Sequence, residues 1–186
     1  HRTAFADKAV ISIVTGWSGE KLRHSLPATT RILRVMPNTP ALVGQGMSVL
    51  EQDGTFRDEE RAFAETLFAG IGRVQYVKPE LMNAVVGVSG SGPAYVYMFI
   101  EAMADGGVRA GLPRAMAYEL AAQTVLGAAG MVLETKQHPG KLKDAVCSPG
   151  GTTIEAVANL EKEGLRNAVL EAVKACIRKA EEMSNI

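Results

Sequence analysis

The sequence is poor in cysteine, in net charge and in long apolar runs, and each shortage closes off a class of protein. Two cysteines, Cys147 and Cys176, in 186 residues cannot build a disulfide framework, and no C-x-x-C or H-x-x-x-H spacing offers a metal site. That usage implies a reducing, cytoplasmic setting. Twenty Lys+Arg are balanced by 20 Asp+Glu, so no long-range field draws phosphate backbones or anionic lipid, and no nucleic-acid partner is expected. The longest apolar runs, such as Val125 to Leu133, fall short of the ~20 residues that span a bilayer, so no membrane partner is expected either. No signal peptide opens the chain. Methionine is missing from the start: the chain begins at His1 and soon runs into what reads as a buried strand, so an upstream segment is expected. What remains is 47% hydrophobic with scattered charge, which describes a folded chain. Its length suits one core, or a small domain plus part of another.

Two textures follow one another along the chain. Lys8 to Thr15 is a β-branched run closed by Gly16, as expected of a strand buried on both faces. Ser18 to Leu26 reads as a helix with Ser18 as N-cap and Pro27 just beyond it. Arg31 to Met36 and Gly46 to Leu50 read as strands. Asp58 to Ala69 is an amphipathic helix ending on a glycine cap at Gly70 and Gly72, and Arg73 to Val77 is a last strand. Residues 1–77 therefore suit an α/β sheet. From residue 78 to 186 the signals are helical: Glu80 to Val86, Pro93 to Gly106, Pro113 to Thr135, Gly140 to Val146, Thr153 to Glu163 and Arg166 to Met183. The stretch 114–133 is apolar nearly all round and rich in Ala and Gly. A surface helix shows a polar face; this one is expected to be buried on most sides, within a core shared between subunits.

Three segments carry candidate chemistry. No G-x-G-x-x-G joins a strand to a helix; Ser89-Gly-Ser-Gly-Pro-Ala-Tyr95 comes nearest, and reads as a tight loop feeding a helix with Pro93 in its first turn. Ser148-Pro-Gly-Gly-Thr-Thr-Ile-Glu155 has two readings. Thr152 and Glu155 have the spacing of a capping box. Alternatively Gly150 and Gly151 let a ligand approach the backbone, Ser148, Thr152 and Thr153 supply hydroxyls, and the following helix start favours an anion, most naturally a carboxylate. Arg34 to Leu42 leaves its strand through two X-Pro bonds. Asn38 there either faces a ligand at the carboxyl end of the strand or closes an Asx-type turn. Val14-Thr15-Gly16 ends its strand in the same layer and is open in the same way. His138 is expected to cap a helix end as a cation, His24 to be solvated, and Cys147 to lack a partner base.

Taken in order, Arg34-Val-Met-Pro-Asn-Thr-Pro-Ala, Ser89-Gly-Ser-Gly-Pro-Ala-Tyr-Val with Ala104 to Pro113, and His138 to Asp144 leading into Ser148 to Ile154 resemble pyrroline-5-carboxylate reductases. The resemblance runs from about Lys8 to the last helix. It implies an α/β remnant of a Rossmann-type domain over 1–77, followed by an all-α helical dimerisation and substrate-binding domain over 78–186. It further implies hydride transfer from NADPH or NADH to the C=N carbon of 1-pyrroline-5-carboxylate, giving L-proline. The partners implied are a second copy with interleaved helices and, in many members, a ring of dimers. Ser148, Gly150, Gly151, Thr152 and Thr153 match the substrate-carboxylate loop, with Thr153 as the catalytic hydroxyl and the proton donor left open. Val14, Thr15, Gly16 and Asn38 match the cofactor side. No metal is implied. The sequence departs from the family pattern at Asn83 to Val86, at Lys136 and at Ala145. Two other readings share the architecture. One is a non-catalytic helical oligomerisation module; the other is a β-hydroxyacid-type dehydrogenase, which needs a lysine in an apolar helical setting.

Overall fold

The computed structural model describes residues 2–185. Four strands, β1 (Ala9–Ser12), β2 (Arg31–Met36), β3 (Gly46–Glu51) and β4 (Gly72–Val77), form one sheet in the order β1-β2-β3-β4. β1 and β2 are parallel, β2 and β3 antiparallel, β3 and β4 parallel. Helices α1 (Gly19–Ser25) and α2 (Asp58–Ala69) make the two parallel crossovers. The strand, helix, strand, strand, helix, strand order expected from periodicity is the one observed.

Local chemistry sets the boundaries. Ser18 Oγ accepts from Lys21 N at 3.1 Å and starts α1. The Leu26 N–H closes the helix on Leu22 O, before Pro27. Three acidic residues fill the first turn of α2, where they complement its dipole, and Glu60 reaches back to Arg57 N at 3.0 Å. The glycine after α2 is not a left-handed cap: Gly70 is right-handed, and its N–H simply continues to Thr66 O. The unusual backbone lies at Gly72, with φ 149°, where a Cβ would collide with the Gly46 backbone across the β3–β4 pair.

β1 corrects a second expectation. Among the described residues it stands at one end of the strand order, and of its four residues only Ser12 is buried by them, short of the burial on both faces that its β-branched run suggests. The central strands carry the core. Leu33, Val35 and Leu50 pack against Ala64 and Phe68 of α2, with Ile11, Phe56, Ile71, Val74 and Tyr76 around them. Each large side chain taken from water there stabilises the fold by roughly 1.5–3 kcal/mol. Between β2 and β3 lies a buried ion pair, Arg34 Nη1 to Glu51 Oε2 at 3.0 Å, and Arg61 donates to Glu51 O. Ser48 Oγ, on β3 opposite Val74, is buried without a hydrogen-bond partner among the described residues.

Beyond β4 every element is helical. A 3-10 turn (Pro79–Leu81) leads into α3 (Met82–Val85) and a π-helical turn (Val86–Gly90). The segment expected to be a tight loop is therefore wound almost continuously into α4 (Gly92–Arg109). The helices α5 (Arg114–Thr135), α6 (Pro139–Val146), α7 (Thr152–Lys162) and α8 (Leu165–Asn185) follow.

Two compact units result, residues 1–93 with 171–186, and residues 94–170. The first is discontinuous because most of α8, from Glu171 on, belongs to it: Ala180 packs with Met36, Met82 and Val86 in a second small core. Strand content nonetheless ends at Val77, where the sequence-based domain boundary falls. The second unit holds together through a seam of alanines, Ala104 of α4 against Ala117 and Ala121 of α5. Arg114 pairs with Asp105 and lies over the Tyr118 ring at 5.5 Å. Within this chain α5 buries only those two alanines, so the expectation of burial on most sides is not met by intrachain contacts. At 22 residues with a mean hydropathy of 1.3 over its most apolar 18-residue window, α5 is long and apolar enough to cross a bilayer by length and composition. Counting uninterrupted runs missed this because Glu119, Gln123 and Thr124 break the run.

Candidate functional site

The structure sorts the predicted site residues into two groups, one in each compact unit. The first group lies at the carboxyl ends of β1 and β2. A cavity of about 650 Å³ opens there, lined by Ile13, Thr15, Met36, Pro37, Asn38, Leu42 and Ser91 among others. Most of its wall is apolar, with Thr15, Asn38, Thr39 and Ser91 as polar exceptions. Asn38 does not close an Asx turn of its own. Its Oδ1 accepts from Met47 N at 2.9 Å and its Nδ2 donates to Ser89 O at 3.0 Å. The side chain thus ties the exit of β2 both to β3 and to the π-helical turn. Thr15 Oγ1 lies 4.0 Å from Met36 Sδ. Val14 is exposed and lines neither this cavity nor its neighbour, while Gly16, at φ 79°, lines that neighbouring cavity of about 820 Å³ with Trp17, Lys21 and Met183.

The residues that sequence reasoning missed here are Met36, Ser91 and Cys176. The Cys176 thiol donates to Ser91 Oγ at 3.1 Å, across 85 positions of sequence. Nothing local in the sequence signals such a contact. The two motifs around Asn38 and Ser89 were visible separately; that they bond to each other was not.

The second group is the loop between α6 and α7. Gly151 N donates to Ser148 O at 3.0 Å, and Gly150 sits at φ 66°. With Pro149 before it, this is the type II pattern of Pro then a glycine at positive φ. A Cβ on Gly151 would push Ser148 Oγ out of its present position and crowd Ser148 O. The capping-box reading is corrected: α7 starts at Thr152, its N-cap is Gly151, and no side chain caps it. Among the described residues no protein group hydrogen-bonds the hydroxyls of Ser148, Thr152 or Thr153. An eleven-residue helix thus presents an uncapped first turn beside three free hydroxyls, an arrangement that favours a carboxylate or similar anion.

The neighbouring positions are also settled. His138 begins α6 rather than ending a helix, and its Nδ1 accepts from Gly140 N at 3.0 Å. It therefore caps the start of a helix, not the end of one. Lys136 closes α5 in the left-handed region at φ 54°. Val86 is core, and Asn83 Oδ1 lies 3.5 Å from Ser184 Oγ. Neither acts at a cavity through a hydroxyl of its own.

An α/β unit with an open strand-end cavity, followed by an all-helical unit bearing a glycine–hydroxyl loop, defines a two-domain α/β-plus-helical class of protein. Comparison with known proteins narrows that class. The family described as pyrroline-5-carboxylate reductase dimerisation matches residues 79–183. The chain belongs to the pyrroline-5-carboxylate reductase family. It is 51% identical to the pyrroline-5-carboxylate reductase of Escherichia coli (strain K12) over 178 residues, covering 96% of this chain and 66% of that protein. The Synechocystis enzyme is 52% identical over 174 residues, 94% of this chain and 65% of the relative. The chain thus spans just under two thirds of the length of these relatives. Its structure is similar to that of Plasmodium falciparum pyrroline carboxylate reductase with NADP bound, at a TM-score of 0.93 and 34% identity, covering 98% of this chain and 74% of that one.

Proposed function

We propose that the protein carrying these residues reduces 1-pyrroline-5-carboxylate to L-proline with NADPH or NADH. The observation that carries this reading is the uncapped first turn of α7 beside the free hydroxyls of Ser148, Thr152 and Thr153. Ser148 and Thr152 are exposed to a ligand from solvent, and family membership supplies the matching carboxylate. The strand-end cavity suits a nicotinamide ring: its walls are mostly apolar, Thr15 and Asn38 stand at its polar points, and its volume exceeds that of one ring. When bound there, a reduced nicotinamide supplies the hydride that the imine carbon accepts.

The chain's own groups then have limited tasks. The turn at Ser148 to Gly151 and the first N–H groups of α7 hold the substrate carboxylate. Gly151 N is already committed to Ser148 O, so the donors are the N–H groups of Thr152 and Thr153 with the Ser148 and Thr152 hydroxyls. Thr153 Oγ1 sits nearest in sequence to both and contacts the ring nitrogen, which must take up one proton as the C=N bond becomes C–N. A protonated cyclic imine is already electrophilic, so positioning rather than a strong base lowers the barrier.

The exposed apolar faces of α4 and α5 are read as the surface of a homodimer with interleaved helices, assembled in turn into a ring of dimers. Glu119, Gln123 and Thr124 in mid-helix suit a protein partner better than lipid. The setting is cytoplasmic. The 186 residues alone are expected to be inactive, because they span only part of the relatives' length and contain no glycine-rich phosphate loop between strand and helix.

The test is NAD(P)H oxidation with 1-pyrroline-5-carboxylate by the full-length gene product, followed by Gly151→Ala and Thr153→Ala. Turnover in the wild type is expected. Gly151→Ala should raise KM for the imine by about tenfold or more at unchanged oligomer size, since its Cβ displaces Ser148 from the anion. Loss of assembly with intact turnover would favour an oligomerisation module instead.

A further inference from the structure

We infer that Met183, near the C-terminal end of α8, is a positioning residue that clamps the Thr15–Gly16 bend against the strand-end cavity. The inference rests on the proposed reading of that cavity as the nicotinamide site.

The bend has little of its own to hold it. Among the described residues, the backbone hydrogen bonds of loops and caps skip residues 14–17. Gly16 stands at φ 79°, and a glycine there is free to cross to the other side of φ. Thr15 makes one long contact, to Met36 Sδ. Yet Thr15 lines both cavities, so the bend is a thin wall between the candidate site and the larger space beside α1. A wall of that kind transmits displacement from one side to the other.

Met183 supplies the missing support from behind. A Cβ built on Gly16 would approach Met183 Cβ to 2.9 Å and Cε to 3.2 Å, so the glycine backbone lies directly on this side chain. Met183 is held in turn: Lys21 Nζ donates to its carbonyl at 3.0 Å. One residue later Ser184 Oγ donates to Ala180 O, and Ala180 is sealed in the core with Met36, Met82 and Val86. The contact is therefore made by a helix end anchored on two sides, and it meets the bend at the residue with the most backbone freedom. Gly16 accordingly has two reasons to be glycine, its φ and the methionine. Removing the side chain leaves the bend to be ordered by the cofactor itself, and that cost falls on binding rather than on the chemical step.

The experiment uses the full-length protein with Met183→Ala and Met183→Leu. Met183→Ala is expected to raise KM for NADPH about fivefold, the size of ordering one or two loop residues on binding. The kcat value and KM for the imine stay within about twofold. Acrylamide quenching of Trp17, the one tryptophan of these residues, which lines the same cavity as Met183 next to the bend, should rise by about half or more as the bend loosens. Its signal is isolated by subtracting the Trp17→Phe protein. Met183→Leu, which refills most of the volume, should restore both readouts. Should Met183→Ala not fold, Lys21→Met carries the test; it removes only the bond to the Met183 carbonyl and should move both readouts the same way by a smaller factor. Unchanged Trp17 quenching overturns the clamp. Altered quenching with unchanged KM for NADPH, or an equal loss in every kinetic constant, overturns its positioning role. A wild-type protein that fails to oxidise NADPH with the imine, while Met183→Ala still loosens Trp17, sinks the functional reading and leaves the clamp standing.

Discussion

The sheet unit and the helical unit differ in what they bury. In the sheet unit Leu33 and Leu50 are fully buried against α2, and charged groups are buried only in pairs. In the helical unit the core is three alanines, while Tyr97, Met98, Leu120 and Leu126 stand more than half exposed. A monomeric soluble domain does not normally leave so much apolar area in water. Leu42, Val43 and Phe63 of the sheet unit are exposed as well, so the difference lies in the cores. Large side chains pack within the sheet unit, whereas the helical unit buries only alanines and, on the proposed reading, gains the rest of its core from a second copy.

The largest test strikes the exposed face. Leu126→Glu should destroy association, raising the dissociation constant by at least about 10³-fold in sedimentation measurements, since a charge replaces an apolar contact on both copies. An unchanged assembly would mean that α5 faces something else. A step smaller is Glu51→Ala, which leaves the mostly covered Arg34 unpaired and should cost about 1–3 kcal/mol in denaturant unfolding. Assembly should be untouched by it. Smaller still, Lys136→Gly relieves a left-handed lysine at the end of α5 and should stabilise by roughly 0.5–1 kcal/mol. The Tm rises if φ 54° is a strain the helical unit tolerates; a fall would mean that the lysine side chain holds something.

The mildest test concerns pH in the sheet unit. Arg31 grips Glu60 through two bonds of 2.9 Å, and Arg57 N adds a third. The Arg31 hydrogen bond, then the Arg57 backbone bond, hold the Glu60 carboxyl below its ordinary value. A lowered pKa in the folded state contributes stability above the unfolded value of about 4.3, and that contribution disappears as pH falls through the folded pKa. The difference in unfolding midpoint between wild type and Glu60→Gln should therefore be constant above about pH 5 and shrink below about pH 4. A constant difference throughout would place the effect in packing.

Much of this was legible in the residues. β-Branched runs, Ser18, Pro27 and the acidic start of α2 announced the elements, because each acts within one turn of chain. The strand-to-helix change near Val77 was likewise a local matter of periodicity. Asn38 was singled out correctly, but not its bonds to Met47 and Ser89, which depend on how distant segments meet. The Thr152–Glu155 spacing pointed to a capping box that is not formed, since Gly150 at positive φ delays the helix start by turning the chain first. His138 misled for a similar reason: the residue that looked like the end of one helix opens the next. Met183 carried no signal at all, because a methionine at helical spacing reads as ordinary core.

The course of α8 has a consequence for anyone dividing the gene. Its first residues belong with 94–170 and its last with the sheet, so no single cut yields both parts intact. Truncation after Pro93 would strip Ala180 from Met36, Met82 and Val86 and expose three apolar side chains at once. Swapping the helical region between relatives would carry that seal along with it. Recombination should therefore succeed only where donor and recipient agree at Met36, Met82, Val86 and Ala180, however different they are elsewhere.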